Sequence, residues 1–138
     1  MTGAGVATED QAPAIPHRAG GLRRRPLSRE ECLGRLRLGT VARLARTEGA
    51  LPRIEVVRYS LIGETIVIDV GSDVLAAKLT GHVVALESGA TGADGPGYAW
   101  SVCAIGAVAP SYELPGDETV LEMYPTLIHG WVDTGRGS

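Results

Sequence analysis

Phenylalanine is missing from this chain altogether, and lysine occurs once, at Lys78. Aromatic residues of any kind fill only 4% of the 138 positions. A core must therefore be assembled from Val, Leu, Ile and Ala, while 19 glycines mark frequent turns. That combination favours short strands over a helical bundle. No apolar run approaches the roughly 18 residues a membrane-spanning helix requires, which excludes a transmembrane segment. The N-terminus also lacks the charged-then-apolar pattern of a secretory signal, so a cytoplasmic location is expected. Cysteine is scarce as well. Cys32 and Cys103 form no CxxC pair, and His17, His82 and His129 stand apart from them and from each other. Spacing proposes no metal site, and two buried, reduced thiols are the expectation.

What is present is the composition of a globular domain, 44% apolar and 21% charged. The length suits one domain, which buries roughly 68% of its unfolded surface on folding. Charge is unevenly spread. Residues 1–58 carry 11 arginines against six acids, a balance of +5, and residues 59–138 carry Lys78 and Arg136 against ten acids, a balance of −8. Residues 1–26, with the Arg23-Arg24-Arg25 run, show no apolar period and read as a flexible arm; 27–133 form the domain, and 134–138 a tail. The arginine run reads as solvated charge, and the acidity of the ordered part argues against a nucleic-acid partner. No membrane partner is expected either.

Ser28-Arg29-Glu30-Glu31 has the form of a capping box, and a short helix runs from it to Gly39. Strands are predicted over 40–46 and 53–61. In the second, Ile54, Val56, Arg58 and Ser60 share one face and Arg53, Glu55, Val57 and Tyr59 the other. A hairpin at Gly63-Glu64 leads into a strand over 65–70, and Gly71-Ser72-Asp73 breaks it before a short helix ending at Leu79. Further strands follow over 82–88, 98–109 and 126–133, with a Gly-rich loop at 89–97 and a helical turn at 117–124. Acid pairs such as Glu30-Glu31 and Asp117-Glu118 read as helix-start residues. Short hairpin-like links make the sheet antiparallel, and six short strands with few helices suggest a small barrel. The glycines at 92, 95 and 97 lack the lysine and hydroxyl of a nucleotide-binding loop. Ser101 and Cys103 have no histidine motif beside them, so nucleophilic catalysis is not indicated.

Several pieces, in order and spacing, resemble the pyridoxamine 5'-phosphate oxidase-like family of flavin-binding split β-barrels. They are Leu27 to Leu33, Val41-Ala42-Arg43-Leu44-Ala45, and Val56-Val57-Arg58-Tyr59, which is similar to the family's Pro-Val-Asn-Tyr strand. Ile66-Val67-Ile68 with Gly71, Leu75-Ala76-Ala77, Val84-Ala85-Leu86-Glu87, Trp100-Ser101-Val102 with Gly106, and Tyr124 to Trp131 complete the series. The resemblance implies a six-stranded antiparallel split β-barrel with short helices. It also implies a homodimer holding FMN, or a deazaflavin, in interfacial clefts, and hydride transfer to or from a small organic substrate. Some members of the family only bind their ligand, so a non-catalytic binding or structural protein is the alternative.

Carried over residue by residue, the resemblance places the cofactor against Val56, Val57, Arg58 and Tyr59, the turn Asp69-Val70-Gly71-Ser72, Lys78 and Trp100. The chain departs from the pattern at that turn. Asp69 stands where the family has a basic residue, and Asp73-Val74 or Val74-Leu75 where it has Ser-Lys. A charge pair at 4 Å is worth up to ~4 kcal/mol at an effective dielectric near 20, and the sign is reversed here. Ser72 with the amides after Gly71, Lys78 and Arg58 are the residues available to compensate. Arg58 is expected to be buried and paired, with Glu87 as first partner and a phosphate as second. Tyr59 either donates to a ligand or covers the barrel end. Trp100 either stacks on the cofactor or fills the core, and Trp131 is expected in the core.

Overall fold

In the computed structural model, which describes residues 23–90, 99–112 and 116–134, helix α1 (Arg29–Leu36) begins at the capping box its sequence announces. The Ser28 hydroxyl accepts the Glu31 N–H at 3.1 Å, and the Glu31 carboxylate accepts the Ser28 N–H at 2.9 Å. That second bond, reinforced by Arg25, holds the Glu31 carboxyl below its ordinary value. The helix turns Cys32, Leu33 and Leu36 inward.

Eight strands follow the sequence order β1 (Arg24–Pro26), β2 (Val41–Glu48), β3 (Leu51–Ile62), β4 (Thr65–Asp69), β5 (Val83–Ala90), β6 (Trp100–Pro110), β7 (Val120–Met123) and β8 (Leu127–Asp133). Helix α2 (Asp73–Leu79) lies between β4 and β5. Every pairing is antiparallel. The ring β6-β5-β2-β3-β4-β7 closes through the β6–β7 pairing, a six-stranded antiparallel barrel with two short helices. Closure removes the exposed backbone edges of the ring itself.

The split in the barrel lies along β6. One edge of this strand pairs β8 over Trp100–Ile105 and then β7 over Val108–Pro110. Gly106 sits between the two partners, where an added Cβ would lie 2.9 Å from Met123 and 3.0 Å from the Tyr124 carbonyl. Only a residue without a side chain lets the β7–β8 connection pass that close.

The ring has six strands, as expected, but not the same six, and two further strands lie outside it. Residues 117–124, expected as a helical turn, contain β7, the strand that closes the ring. Asp117 caps a turn rather than a helix, its carboxylate accepting the Thr119 N–H at 3.2 Å and hydroxyl at 2.8 Å. Strand β8, expected within the barrel, extends the sheet outside the ring. There it pairs with β1, so regular pairing begins at Arg24, inside the segment expected to be an arm. The rest of that segment, residues 1–22, lies outside the described residues, as do the loop and Tyr98 (91–98) and the last four residues.

Inward positions recur at every second residue: Ala42 and Leu44, Val57 and Tyr59, Ile66 and Ile68, Val84 and Leu86, Val102 and Ala104, Leu121 and Met123. Cys32 and Leu36 of α1, with Ala76 and Leu79 of α2, join the same cluster. Each Leu or Ile so buried contributes about 1.5–3 kcal/mol. Beside the β2–β3 hairpin, Arg46 bridges Glu55 at 3.0 Å and Glu48 at 2.7 Å, and Lys78 reaches Glu48 at 3.7 Å. Among the described residues, no helix is long and apolar enough to cross a membrane.

Candidate functional site

Alternation puts the other half of each strand on the outer face, and the register aligns these residues in rows. One row runs Ile54, Ala45, Ala85, Ile105, Leu127 across β3, β2, β5, β6 and β8. Five strands at about 4.8 Å make it roughly 19 Å wide, and it is apolar throughout. Around it, Val56 is 74% exposed, Ile54 68% and Val83 66%. The next row runs Val56, Arg43, Glu87, Cys103, His129.

Where these rows meet the end of β6, the face opens into a cleft of about 390 Å³, lined chiefly by Arg43, Glu87, Gly89, Trp100, Ser101 and Trp131. This falls within the roughly 300–1,000 Å³ typical of small-molecule sites. Its polar wall is ordered internally. Glu87 takes Arg43 Nη1 at 3.0 Å on one carboxylate oxygen and the Ser101 hydroxyl at 2.9 Å on the other. A Cβ on Gly89 would collide with the Trp100 carbonyl and lie 3.1 Å from Glu87 Oε2, so the wall requires glycine there. Both indoles carry a guanidinium. Arg24 lies 4.1 Å from the Trp131 ring centroid and Arg35 5.6 Å from that of Trp100.

The β4–α2 turn is built differently. Asp69 accepts the Gly71 N–H at 2.9 Å and lies 3.0 Å from the Thr119 hydroxyl, whose one proton it shares with Asp117. Gly71 has φ 74°, a conformation that suits glycine. Ser72 caps α2 by accepting the Leu75 N–H at 3.1 Å. The carboxylate at 69 is thus held by the turn's own donors; of the amides after Gly71 considered for a phosphate, that of Leu75 is taken by the Ser72 hydroxyl. A second cavity of about 440 Å³ lies beyond, bordered by Asp73, Asp117 and Glu118; three acids there repel an anionic ligand.

The sequence-derived candidates do not converge. Val56 and Arg58 lie exposed on the outer face, and Arg58 stands opposite Asp69 in the β3–β4 register. The expectation of a buried Arg58 paired with Glu87 is corrected: Glu87 belongs to Arg43, two strands from Arg58. Both faces of β3 carry apolar side chains, so polarity alone did not indicate which points inward. Val57 is core, and Val70 packs against it. Tyr59 is 5% exposed and donates to the Leu36 carbonyl at 2.6 Å, securing the end of α1. Lys78 faces the β2–β3 hairpin through Glu48. Trp100 lies three strands from Arg58, roughly 14 Å across the sheet.

Trp131, expected in the core, is half-buried and lines the cleft beside Trp100. Sequence reasoning passed over Arg43, Glu87 and Ser101 as site residues; their shared outward parity was the available signal. Both cysteines are free; Cys32 is buried as expected, whereas Cys103 is only half-buried. Burial raises the pKa of Cys32 and of Cys103, and the Glu87 charge adds to the effect at Cys103. Among the described residues, no group of three or more His, Cys, Asp or Glu side chains is placed to hold a metal ion.

A barrel closed through a short strand, with its longest neighbour shared between two partners, defines the split β-barrel class. No family model and no curated protein matches the chain. Solved structures do. A FAD-binding protein from Mycobacterium smegmatis superposes with a TM-score of 0.66 at 19% identity, covering 80% of this chain and 98% of that one. A candidate pyridoxamine 5'-phosphate oxidase from Corynebacterium glutamicum gives 0.65 at 16% identity, with 80% and 98% covered. A FAD-binding protein from Mesorhizobium loti gives 0.64 at 18%, with 81% and 98% covered. The chain has the split-barrel fold of these pyridoxamine 5'-phosphate oxidase-like and FAD-binding proteins.

Proposed function

We propose that this chain is a flavin-binding split-barrel protein that works as a homodimer, with the flavin ring in the tryptophan cleft. The observation that carries the reading is that cleft: two indoles and an ordered Arg43–Glu87–Ser101 wall at the margin of an exposed apolar sheet face. Indoles suit a planar heteroaromatic ring, and the guanidiniums over them suit its anionic substituents. FMN is the cofactor expected from the sequence resemblance and a deazaflavin its alternative; FAD joins them because two structural neighbours are named for it. A bound flavin supplies hydride transfer to or from a small organic substrate. The chain's part is to bind the ring, orient it against the β5–β6 backbone and exclude water.

A second copy fits the apolar row. A two-fold interface uses the same patch on both subunits, and a flat, continuous apolar strip is self-complementary. Covering it would also wall the open side of the cleft. The non-catalytic alternative is favoured by one observation, the engagement of Asp69, Gly71 and Ser72 within their own turn.

Purified protein titrated with FMN, FAD and a deazaflavin, followed by flavin fluorescence and visible absorbance, tests the binding. Micromolar binding of at least one is expected; a colourless protein that binds none of them sinks the flavin reading. Turnover of the loaded protein with a reduced nicotinamide donor then separates oxidoreductase from binding module. Ile54→Asp is expected to convert a dimer to a monomer in sedimentation velocity, and a wild-type monomer at tens of micromolar would remove the homodimer.

A further inference from the structure

Strand register gathers the polar side chains of the cleft wall on one outer side of the sheet. Arg43 stands opposite Glu87 in the β2–β5 pairing, Gly89 opposite Ser101 in β5–β6, and Ser101 opposite Trp131 in β6–β8. Side chains directly opposite or diagonal on one face are within reach of each other. The bonds they make are single ones. Arg43 gives one N–H, from Nη1, to one Glu87 oxygen at 3.0 Å, and the Ser101 hydroxyl gives its proton to the other at 2.9 Å. Arg25, by contrast, meets Glu31 with two nitrogens on two oxygens. An ionised carboxylate has about four lone-pair sites and a guanidinium about five N–H donors. Glu87 therefore keeps acceptor capacity, and Arg43 keeps most of its donors. Gly89 leaves that flank of the carboxylate clear, since a Cβ there would lie 3.1 Å from Oε2. The wall is thus a donor beside an acceptor with no net charge. An anion is repelled by Glu87 and a cation by Arg43, whereas a neutral group offering an acceptor beside a donor satisfies both.

Resting on the flavin reading above, we infer that Glu87 accepts the N3–H of the flavin ring and Arg43 donates to the carbonyl oxygen beside it. The pyrimidine edge of the ring alternates carbonyl, N–H and carbonyl, and flavins and deazaflavins both carry it. Trp131, next to Ser101 on the same outer side, is then the surface for the apolar body of the ring. The ligand class that follows is a neutral planar heterocycle with a free cyclic imide. A ring alkylated at the imide nitrogen keeps its shape and its carbonyls but loses the donor, which leaves the Glu87 carboxylate facing a methyl group. A site built to hydrogen-bond an N–H rejects the analogue that lacks it, because its own polar group is left unmatched.

The test compares FMN with its N3-methyl derivative on the full chain. Dissociation constants are measured by flavin fluorescence for the wild type, Glu87→Ala and Arg43→Gln. We expect the wild type to favour FMN by about tenfold or more, the scale of a hydrogen bond to a charged group. In Glu87→Ala that preference should fall to within about twofold through loss of FMN affinity. Arg43→Gln should weaken both compounds by a similar factor and keep the preference, because both retain the carbonyl. If Glu87→Ala fails to fold by circular dichroism, Glu87→Val, which suits a strand and also lacks the acceptor, carries the comparison. Equal wild-type affinities, or a preference that persists in Glu87→Ala, overturn the assignment while leaving the flavin reading intact. A preference lost because the N3-methyl compound gains affinity in Glu87→Ala shows exclusion by bulk and overturns the hydrogen bond. Arg43→Gln binding both compounds as the wild type does removes the guanidinium from the edge. If FMN does not bind the wild type, a deazaflavin and its N3-methyl derivative take its place. If no flavin binds, the flavin reading fails and this inference with it.

Discussion

The β4–α2 turn and the tryptophan cleft handle charge in opposite ways. At the turn an acid is satisfied by its own neighbours: Asp69 holds the Gly71 amide and shares the Thr119 hydroxyl with Asp117. At the cleft an acid is also satisfied, Glu87 by Arg43 and Ser101, but two further arginines stand over the indoles. Changing one residue of a turn from basic to acidic does more than weaken an anion site. It converts the same backbone donors into structural bonds.

Glycine substitutions break this contrast most sharply. Gly89→Ala drives a methyl group into the Trp100 carbonyl, so it should cost at least tenfold in flavin affinity. Gly71→Ala, by comparison, forces a side chain onto φ 74° at about 1–2 kcal/mol of stability, with flavin affinity kept within twofold. Fluorescence titration and urea unfolding on the same samples separate the two, and loss of binding in Gly71→Ala would return the turn to the site. Glu87→Gln should come next. It leaves the wall's shape but weakens its bonds to Arg43 and Ser101, and an approximately fivefold loss of flavin affinity is expected with little change in urea midpoint.

Asp69→Asn keeps one acceptor and removes the charge. Stability should drop by about 1 kcal/mol, the scale of one net hydrogen bond, and FMN affinity should be unchanged. A gain in affinity would show that the turn's negative charge still acts on the ligand. Acid titration gives the smallest effect. Glu31, on the helix that carries Arg35, is lowered chiefly by the Ser28 amide, and Glu48, the partner of Lys78, chiefly by Arg46. Carboxyls depressed by folding stabilise fully above their ordinary value of 4.5 and lose that contribution as pH falls through their lower folded values. The melting temperature should therefore be level from pH 5 to 7 on this account and decline below pH 4.5. Glu31→Gln and Glu48→Gln should each flatten part of that decline.

Much of the barrel was legible because period-two alternation and capping chemistry are local. The capping box at Ser28, the break at Gly71 to Asp73 and the strands through Val57, Ile68, Leu86 and Val102 all follow from neighbours in sequence. Strand β7 was not legible, since Asp117-Glu118 before a short apolar run also describes a helix start, and only the pairing with β4 and β6 decides the matter. The cleft was hidden for a related reason. Arg43, Glu87, Ser101 and Trp131 lie on four different strands, and register brings them together. Trp131 was assigned to the core because a large indole is usually buried, whereas here it stands on the outer face of a strand beyond the ring.

The chain has two tryptophans in all, and both line the one cleft. Optically, then, the protein has a single window. Its indole emission comes from the walls of the proposed site, under the guanidiniums of Arg24 and Arg35, with no background from any other tryptophan. A ligand entering there reports itself by quenching nearly the whole tryptophan signal. The scarcity of aromatic residues, which first suggested an aliphatic core, also makes the location of a bound molecule readable from the unlabelled protein.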